Sequence, residues 1–237
     1  MLVMSSAAMA ANPIRFDAVA EVDVHADGTP QVIQVFNIER AAQSEAVQQR
    51  LKAEVAARIA RWKFSPAKIE GVAVDAHTFV QVNMEADISP DNRFTVRVVK
   101  ADTGPRASYR VRPSYPKCAG KIGAEGLVML VLSVDPQGRV VDTKVERSDT
   151  SPGSGAAQRM FEATAQQAAK LWHFQTETVA GKPLAARVRM PVKFCMADGS
   201  AWCAKQAWYR KDRAQEQDMA AINPAVKLLT DVTGPGA

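Results

Sequence analysis

The sequence predicts an α+β protein that contains one small structural unit twice. Two stretches match each other without a gap at a constant offset of 110 residues, the separation of Trp62 from Trp172. Each stretch alternates apolar and polar residues as strands do, and then carries apolar residues at helical spacing. A repeat of this length indicates a duplicated supersecondary unit. The matching positions are Val24, Gly28, Val35, Ala53, Trp62, Phe64, Gly71 and Val82, and Val134, Gly138, Val145, Ala163, Trp172, Phe174, Gly181 and Val192.

The first unit is predicted to run strand, strand, helix, strand. Val22 and Val24 lie on one face of the first strand, and Ala26-Asp27-Gly28 is typical of a tight turn into an antiparallel partner over residues 31–35. An alternating segment over residues 76–84 completes a small antiparallel sheet with one helix packed across it. The apolar stripe of that helix is Val47, Leu51, Val55, Ile59 and Trp62.

The second unit repeats this order. A strand over residues 126–134 leads through a turn at 135–138 into a partner over 139–145. A helix follows, with the loop 151–155 available to cap it, and the last strand runs from Ala186 to Phe194. Pro191 has no backbone N–H, so this last strand is expected at a sheet edge. The equivalent position in the first unit is Gln81, which predicts a more receptive edge there.

Four aromatic residues stand where each helix gives way to the next extended segment. They are Trp62 and Phe64 in the first unit and Trp172 and Phe174 in the second. Aromatic residues at a helix end beside a strand are more typical of core anchors than of ligand-stacking groups. We therefore interpret all four as structural anchors, and Tyr115 and Pro116 as two further structural anchors.

The composition is that of an ordinary globular protein. Hydrophobic residues make up 47% and charged residues 23% of 237 residues, and the net charge of +5 is spread along the chain. With no long basic run, the sequence argues against nucleic-acid binding. The predicted division is an export-signal remnant (1–11), a first unit (12–86), a linker (87–112), a second unit (113–195) and a C-terminal tail (196–237). The alternative for part of the linker is a short strand over Phe94–Val99.

The first eleven residues are apolar and end in Ala8-Met9-Ala10, the small-x-small pattern of signal-peptidase cleavage. They predict export; the alternative is an alanine-rich N-terminus with no targeting role. No run of 18 apolar residues occurs in the sequence, so no transmembrane helix is expected.

The chain has three cysteines, Cys118, Cys195 and Cys203. Their spacing does not suit a zinc site. A disulfide between Cys195 and Cys203 is one interpretation, and three free thiols are the other.

The second unit resembles the C-terminal domain of the TonB family of Gram-negative energy transducers. The residues that carry this resemblance include Tyr115-Pro116, Val134-Asp135-Pro136-Gln137-Gly138, Trp172-His173-Phe174 and Val192-Lys193-Phe194. It covers residues 113–194. The first unit resembles a more divergent copy of the same domain, so the fold class implied is two TonB-C-like modules in tandem.

The resemblance implies a periplasmic, non-enzymatic protein that binds peptide segments of outer-membrane transport proteins. In this family an extended peptide adds as a strand to a sheet edge. Protein partners are implied, and no cofactor, metal or nucleic acid. The edge strand that matches here contains Arg187, Val188, Arg189, Met190, Val192, Lys193 and Phe194.

Two other functions stay open. One is a periplasmic scaffold that uses the doubled fold for assembly and never contacts a transporter. The other is a hydrolase, which would need a Ser or Asp side chain to converge on His25 or His173.

Two surfaces of the second unit each have more than one interpretation. Arg187, Arg189 and Lys193 form a basic face that favours an acidic ligand, or that only discourages aggregation at the edge. The strand over 126–134 is apolar on its second face as well. That face needs cover from the other unit, from the tryptophan-bearing tail or from a second copy in a homodimer.

Overall fold

The computed structural model describes residues 14–40, 44–88, 94–196, 202 and 219–233. This part of the chain is an α+β structure in which antiparallel strands dominate and three α-helices occur. None of these helices is long and apolar enough to cross a bilayer. The predicted signal remnant, residues 1–11, lies outside the described residues.

The first unit has the predicted order of strands and helix. Its elements are β1 (Ile14–Val24), β2 (Pro30–Phe36), a 3-10 turn (Ile38–Arg40), α1 (Glu45–Ile59), β3 (Phe64–Ser65), β4 (Ala67–Ile69), β5 (Val72–Val74) and β6 (Ala76–Ile88). β1 pairs with β2 on one side and with β6 on the other. The helix α1 buries Leu51, Val55 and Ile59 in the core that it shares with this sheet.

The segment predicted to be a linker, residues 87–112, contains two strands. They are β7 (Phe94–Gly104) and β8 (Arg106–Tyr109). β7 pairs with β6 along most of its length, and Gln81 lies opposite Asp102. The expectations of a linker and of a receptive edge at Gln81 are therefore wrong, whereas the sequence alternative of a short strand at Phe94–Val99 lies within β7. Val96 and Val98 of β7 are buried in the first-unit core, and this burial holds the strand in place.

The second unit also has the predicted order. Its elements are α2 (Lys117–Lys121), β9 (Glu125–Val134), β10 (Val140–Ser151), α3 (Gly155–Ala169), β11 (His173–Gln175), β12 (Thr178–Val179), β13 (Lys182–Pro183) and β14 (Ala186–Phe194). In its main sheet β9 lies between β10 and β14. Ser154 caps α3, since its side chain accepts a hydrogen bond from the N–H of Ala157 at 3.3 Å.

Each strand and α-helix of the first unit begins or ends 110 residues before its counterpart in the second unit, which is the offset of the matching residues. The turn glycines show why: Gly28 and Gly138 have φ angles of 80° and 81°. The carbonyl of Gly138 accepts a hydrogen bond of 2.8 Å from the N–H of Phe174. A Cβ atom at Gly138 would lie 1.9 Å from the carbonyl oxygen of Phe174, and one at Gly28 would lie 2.3 Å from that of Phe64. Only glycine fits both turns.

The two units are joined by shared strand pairing. The short hairpin of β12 and β13 adds to the first-unit sheet, with Thr178 opposite His77 and Val179 opposite Ala76. β8 pairs with β11. The second unit thus contributes strands to the sheet of the first.

The predicted tail contains two further strands, β15 (Ala220–Ala221) and β16 (Lys227–Leu228). β15 pairs with β14 of the second unit, and β16 pairs with β3 of the first. Between and beyond these strands, Val226 and Val232 are buried in the first-unit core. The end of the described chain therefore crosses from one unit to the other.

Candidate partner-binding edge

Strand β14, the predicted partner-binding edge, is held on its inner side by β9. Residue pairs run along the whole strand, from Ala186 opposite Val134 to Phe194 opposite Gly126. Its inward side chains, each no more than 5% exposed, are Val188, Met190, Val192 and Phe194. This packing fixes the orientation of the strand, so its other backbone edge faces away from β9.

The outer side of β14 is partly covered by the chain itself. Ala221 lies opposite Val188, and Ala220 lies opposite Arg189. The N–H of Ile222 also donates to the carbonyl oxygen of Arg187 at 2.8 Å. The expectation of an open edge is therefore wrong over Arg187–Arg189, because the C-terminal segment returns to pair with it.

The basic face of β14 is partly neutralised. Arg189 donates two hydrogen bonds to the carboxylate of Glu146, at 2.6 and 2.7 Å. The hydrogen bond from Arg189 holds the pKa of Glu146 below its ordinary value. Arg187 and Lys193 are exposed. Of the three predicted basic residues, Arg189 forms an ion pair with Glu146 within the sheet.

Tyr115 and Pro116 support the far end of β14. The Tyr115 ring meets the rings of Phe161 and Phe194 edge-on, at centroid distances of 5.6 and 6.0 Å. Its hydroxyl donates to the carbonyl oxygen of Ala124. Burial, with a smaller contribution from the charge of Glu125, raises the pKa of this hydroxyl. Pro116 precedes α2 as its N-terminal cap residue.

The four aromatic anchors predicted at the helix ends are all buried. Trp62 and Phe64 are each 2% exposed and lie in the first-unit core. Trp172 and Phe174 are each 4% exposed and lie in the core beneath β14. The indole N–H of Trp172 donates to the carbonyl oxygen of Val111 at 2.8 Å. This hydrogen bond connects the segment that precedes α2 to the end of α3.

The second apolar face of β9 is covered by the tail. Leu127 and Met129 are 1% and 4% exposed, and Trp202 packs against them. This matches one of the covers expected from the sequence. The homodimer stays a prediction.

Cys195, which directly follows β14, is disulfide-bonded. Cys118 is an exposed free thiol. Cys203, the predicted partner of Cys195, lies outside the described residues.

The three histidines lie apart from one another in the chain, and two of them lie beside carboxylates. His77 is held between Asp23, at 2.8 Å from Nδ1, and Glu21, at 3.3 Å from Nε2. His25 Nδ1 lies 3.8 Å from Asp75, which is longer than a hydrogen bond, and His173 is exposed in β11.

A cleft of about 300 Å³ lies between the first-unit sheet and the second half of β14. Asp17 and Asn83 line it from the first unit, and Asn83 donates to Asp17 at 2.6 Å. Pro191 and Lys193 line it from β14. A chain lying along this half of β14 would therefore contact both units.

Sequence reasoning missed Glu177, which connects three parts of the molecule. Its carboxylate accepts hydrogen bonds from the hydroxyl of Thr78 at 2.7 Å and from the N–H of Ala225 at 3.0 Å. It is 3% exposed, and this burial raises its pKa. A single glutamate in a polar run gives no periodic signal, so only its three-dimensional contacts identify it.

The segment of the chain that contains this edge is similar to known proteins. The family model of the Gram-negative bacterial TonB protein C-terminal domain matches residues 111–196. A Protein TonB of Xanthomonas campestris pv. campestris is 37% identical over 84 residues, which are 35% of this chain and 34% of that protein. A Protein TonB of Vibrio cholerae is 31% identical over 101 residues, 43% of this chain and 38% of that protein.

The solution NMR structure of the Pseudomonas aeruginosa TonB C-terminal domain shares 28% sequence identity with this chain. The alignment covers 38% of this chain and 84% of the Pseudomonas chain, with a TM-score of 0.31. The matched segment spans about a third of the curated relatives' length, 34% in the Xanthomonas protein. It contains β9, α3 and β14, which form the sheet and the helix described above. Residues 111–196 of this chain are therefore similar to the C-terminal domain of the Gram-negative bacterial TonB protein.

Proposed function

We propose that the domain at residues 111–196 captures an extended peptide segment of a partner protein by adding it as a strand to β14. The partner class is an outer-membrane transport protein, and the compartment is the periplasm. The observation that carries the proposal is an asymmetry of pairing. β14 pairs with β9 along all nine residues, whereas β15 covers only Val188 and Arg189.

A two-residue strand is a weak competitor for a longer incoming one. Each further residue pair adds backbone hydrogen bonds, and these do not depend on the partner's side chains. Exchange of β15 for a peptide strand is therefore favourable once the peptide pairs beyond Arg189. Pro191 contributes no donor there, so the partner's carbonyl at that position must be satisfied by other means.

The surroundings of β14 supply selectivity. Arg187 is exposed and favours an acidic side chain on the incoming strand. A peptide that continues past Pro191 enters the cleft lined by Asp17 and Asn83 of the first unit. The first unit would then contribute to recognition without offering an edge of its own at β6.

One observation favours the alternative of an assembly scaffold. The chain itself supplies the strands that lie on β6 and on part of β14, namely β7 and β15. A protein whose sheet edges are paired internally is suited to a structural role.

Site-specific photocrosslinking in Gram-negative cells distinguishes the two functions. A benzoylphenylalanine placed at Arg187 lies on the proposed edge, and one placed at Val141 lies on β10, where Val141 is 65% exposed. We expect crosslinks to an extended segment of an outer-membrane transport protein from position 187 and not from position 141. Mass spectrometry of the crosslinked peptides identifies the segment. Equal crosslinking at both positions, or crosslinks only to other copies of this chain, would contradict strand capture.

A further inference from the structure

We propose that the first unit locks the C-terminal segment, residues 219–233, onto the outer side of β14, so that strand capture requires release of this segment. We call residues 219–233 the strap. The inference rests on the proposed function, because a lock matters only if β14 accepts a strand. It assigns the first unit a regulatory role towards the TonB C-terminal domain.

The strap holds β14 through few contacts. Its residues Ala220 and Ala221 lie opposite Arg189 and Val188, and Ile222 donates to the carbonyl of Arg187. Neither alanine is fully buried. Met219 adds one further contact, because it packs against the second-unit core and lines the cleft beside Pro191. Two paired residues and one packed side chain are still a short attachment, which anchors elsewhere strengthen.

The anchors lie in the first unit. Val226 is 0% exposed and Val232 is 7% exposed, both within the first-unit core. The N–H of Leu229 donates to the carbonyl of Lys63 at 2.8 Å, and the N–H of Lys63 donates to the hydroxyl of Thr230 at 2.8 Å. These contacts fix the strap beyond the point where it leaves β14.

The strap makes two further contacts in the segment between its anchors and β14. Glu177 accepts the N–H of Ala225 and the hydroxyl of Thr78, and so connects the strap to β6. Gly104, at the end of β7, lets the strap pass: a Cβ atom there would lie 2.4 Å from the Cβ atom of Ala221. β7, which pairs with β6, therefore ends in contact with β15, which pairs with β14.

Tethering explains how so short a strand competes with a ligand. A segment anchored a few residues away has a high effective concentration at its site. A free peptide then binds only to the fraction of molecules in which the strap has opened, and its apparent affinity falls by that fraction. Weakening either the strap's contact with β14 or its anchor raises that fraction.

The test uses the full chain and a fluorescent synthetic peptide with the sequence of residues 219–226, which is the strap's own strand supplied in trans. Ile222→Pro removes the N–H that donates to Arg187, whereas Ile222→Ala keeps it. We expect Ile222→Pro to bind the peptide about five- to tenfold more tightly than the wild type, the value of one net hydrogen bond. Ile222→Ala should bind it like the wild type. Fluorescence anisotropy measures both.

A second pair of variants tests the anchor. Val226→Asp places a charge in the first-unit core, whereas Leu229→Asp makes the same change of chemistry at a position that is 65% exposed. We expect Val226→Asp to increase peptide binding and Leu229→Asp to leave it unchanged. Circular dichroism establishes that each variant is folded. If Val226→Asp is unfolded, the Ile222 pair still decides the question.

Amide hydrogen exchange at Arg187 and Arg189, whose N–H groups face the strap, separates the failure of the lock from that of the proposed function. If the wild type binds the peptide as tightly as Ile222→Pro does, the lock is overturned and strand capture stands. If these amides remain protected in Ile222→Pro, the strap does not control the edge and the lock is again overturned. If they lose protection, the peptide does not bind, and a benzoylphenylalanine at Arg187 of Ile222→Pro gives no crosslink to an outer-membrane transport protein, strand capture at β14 fails, and the lock fails with it.

Discussion

Trp62 and Trp172 occupy matching positions, yet their indole N–H groups differ. That of Trp172 donates to the carbonyl oxygen of Val111 at 2.8 Å. That of Trp62 is buried and has no hydrogen-bond partner among the described residues. A buried donor without a partner is costly, so the same side chain contributes differently to the two cores.

This difference predicts unequal effects of one substitution. Trp→Phe removes about the same volume at both sites, but at Trp172 it also leaves the carbonyl of Val111 without its donor. We expect Trp172→Phe to lower the free energy of unfolding by about 1 kcal/mol more than Trp62→Phe does. Urea denaturation of the two variants measures this. Equal losses would mean that the bond to Val111 contributes nothing net.

The two short hairpins also occupy matching positions and differ in what they contact. The hairpin of β12 and β13 adds to β6, and its Val179 is 7% exposed within the first-unit core. The hairpin of β4 and β5 forms a sheet of its own, and its matching residue, Ile69, is 45% exposed. One copy of the hairpin therefore joins the units, while the other projects into solvent.

Truncating the two matching side chains should reveal this difference. Val179→Ala removes two buried methylene equivalents, so we expect a loss of about 1.5 kcal/mol in the free energy of unfolding. Ile69→Ala, at a largely exposed site, should change it by less than about 0.5 kcal/mol. Chemical denaturation gives both values. A loss at Ile69 as large as that at Val179 would show that the exposed hairpin is covered in solution.

Glu177 makes the stability of the joined molecule depend on pH. Burial raises its pKa above the ordinary 4.5, and the hydrogen bonds that favour the charged form do not outweigh this. The folded protein then binds this proton more tightly than the unfolded chain does. The contribution of Glu177 to stability therefore falls as pH rises from about 4.5 through its raised pKa.

We expect Glu177→Gln to gain stability relative to the wild type as the pH increases through that range, because glutamine does not titrate. Glu146→Gln is the matched control with the opposite sign. Arg189 lowers the pKa of Glu146, so the wild-type residue stabilises above about pH 4.5, and this stabilisation disappears as pH falls through its lowered pKa. Urea denaturation from pH 3 to 8 tests both; parallel profiles for Glu177→Gln and the wild type would contradict the assignment.

Local sequence was sufficient to predict the repeated elements. Alternation predicted Ala186–Phe194 with the bounds that β14 has, and the helical stripes predicted α1 and α3. The turn glycines at Gly28 and Gly138 were also readable, because a tight turn restricts the residue type. These signals act over a few residues, so they survive without knowledge of the rest of the chain.

The partners of the sheet edges could not be read in the same way. A short strand at Phe94–Val99 was one interpretation of the sequence, but its polar surroundings favoured a linker over β7. β15 and β16 are two residues each, too short to show a period. Every residue except proline offers the same backbone donor and acceptor, so strand pairing leaves no characteristic residue pattern. The amino-acid order thus specified two similar units and their internal elements. Which segment covers β6, what lies on β14 and how Glu177 connects the units followed only from packing between distant parts of the chain.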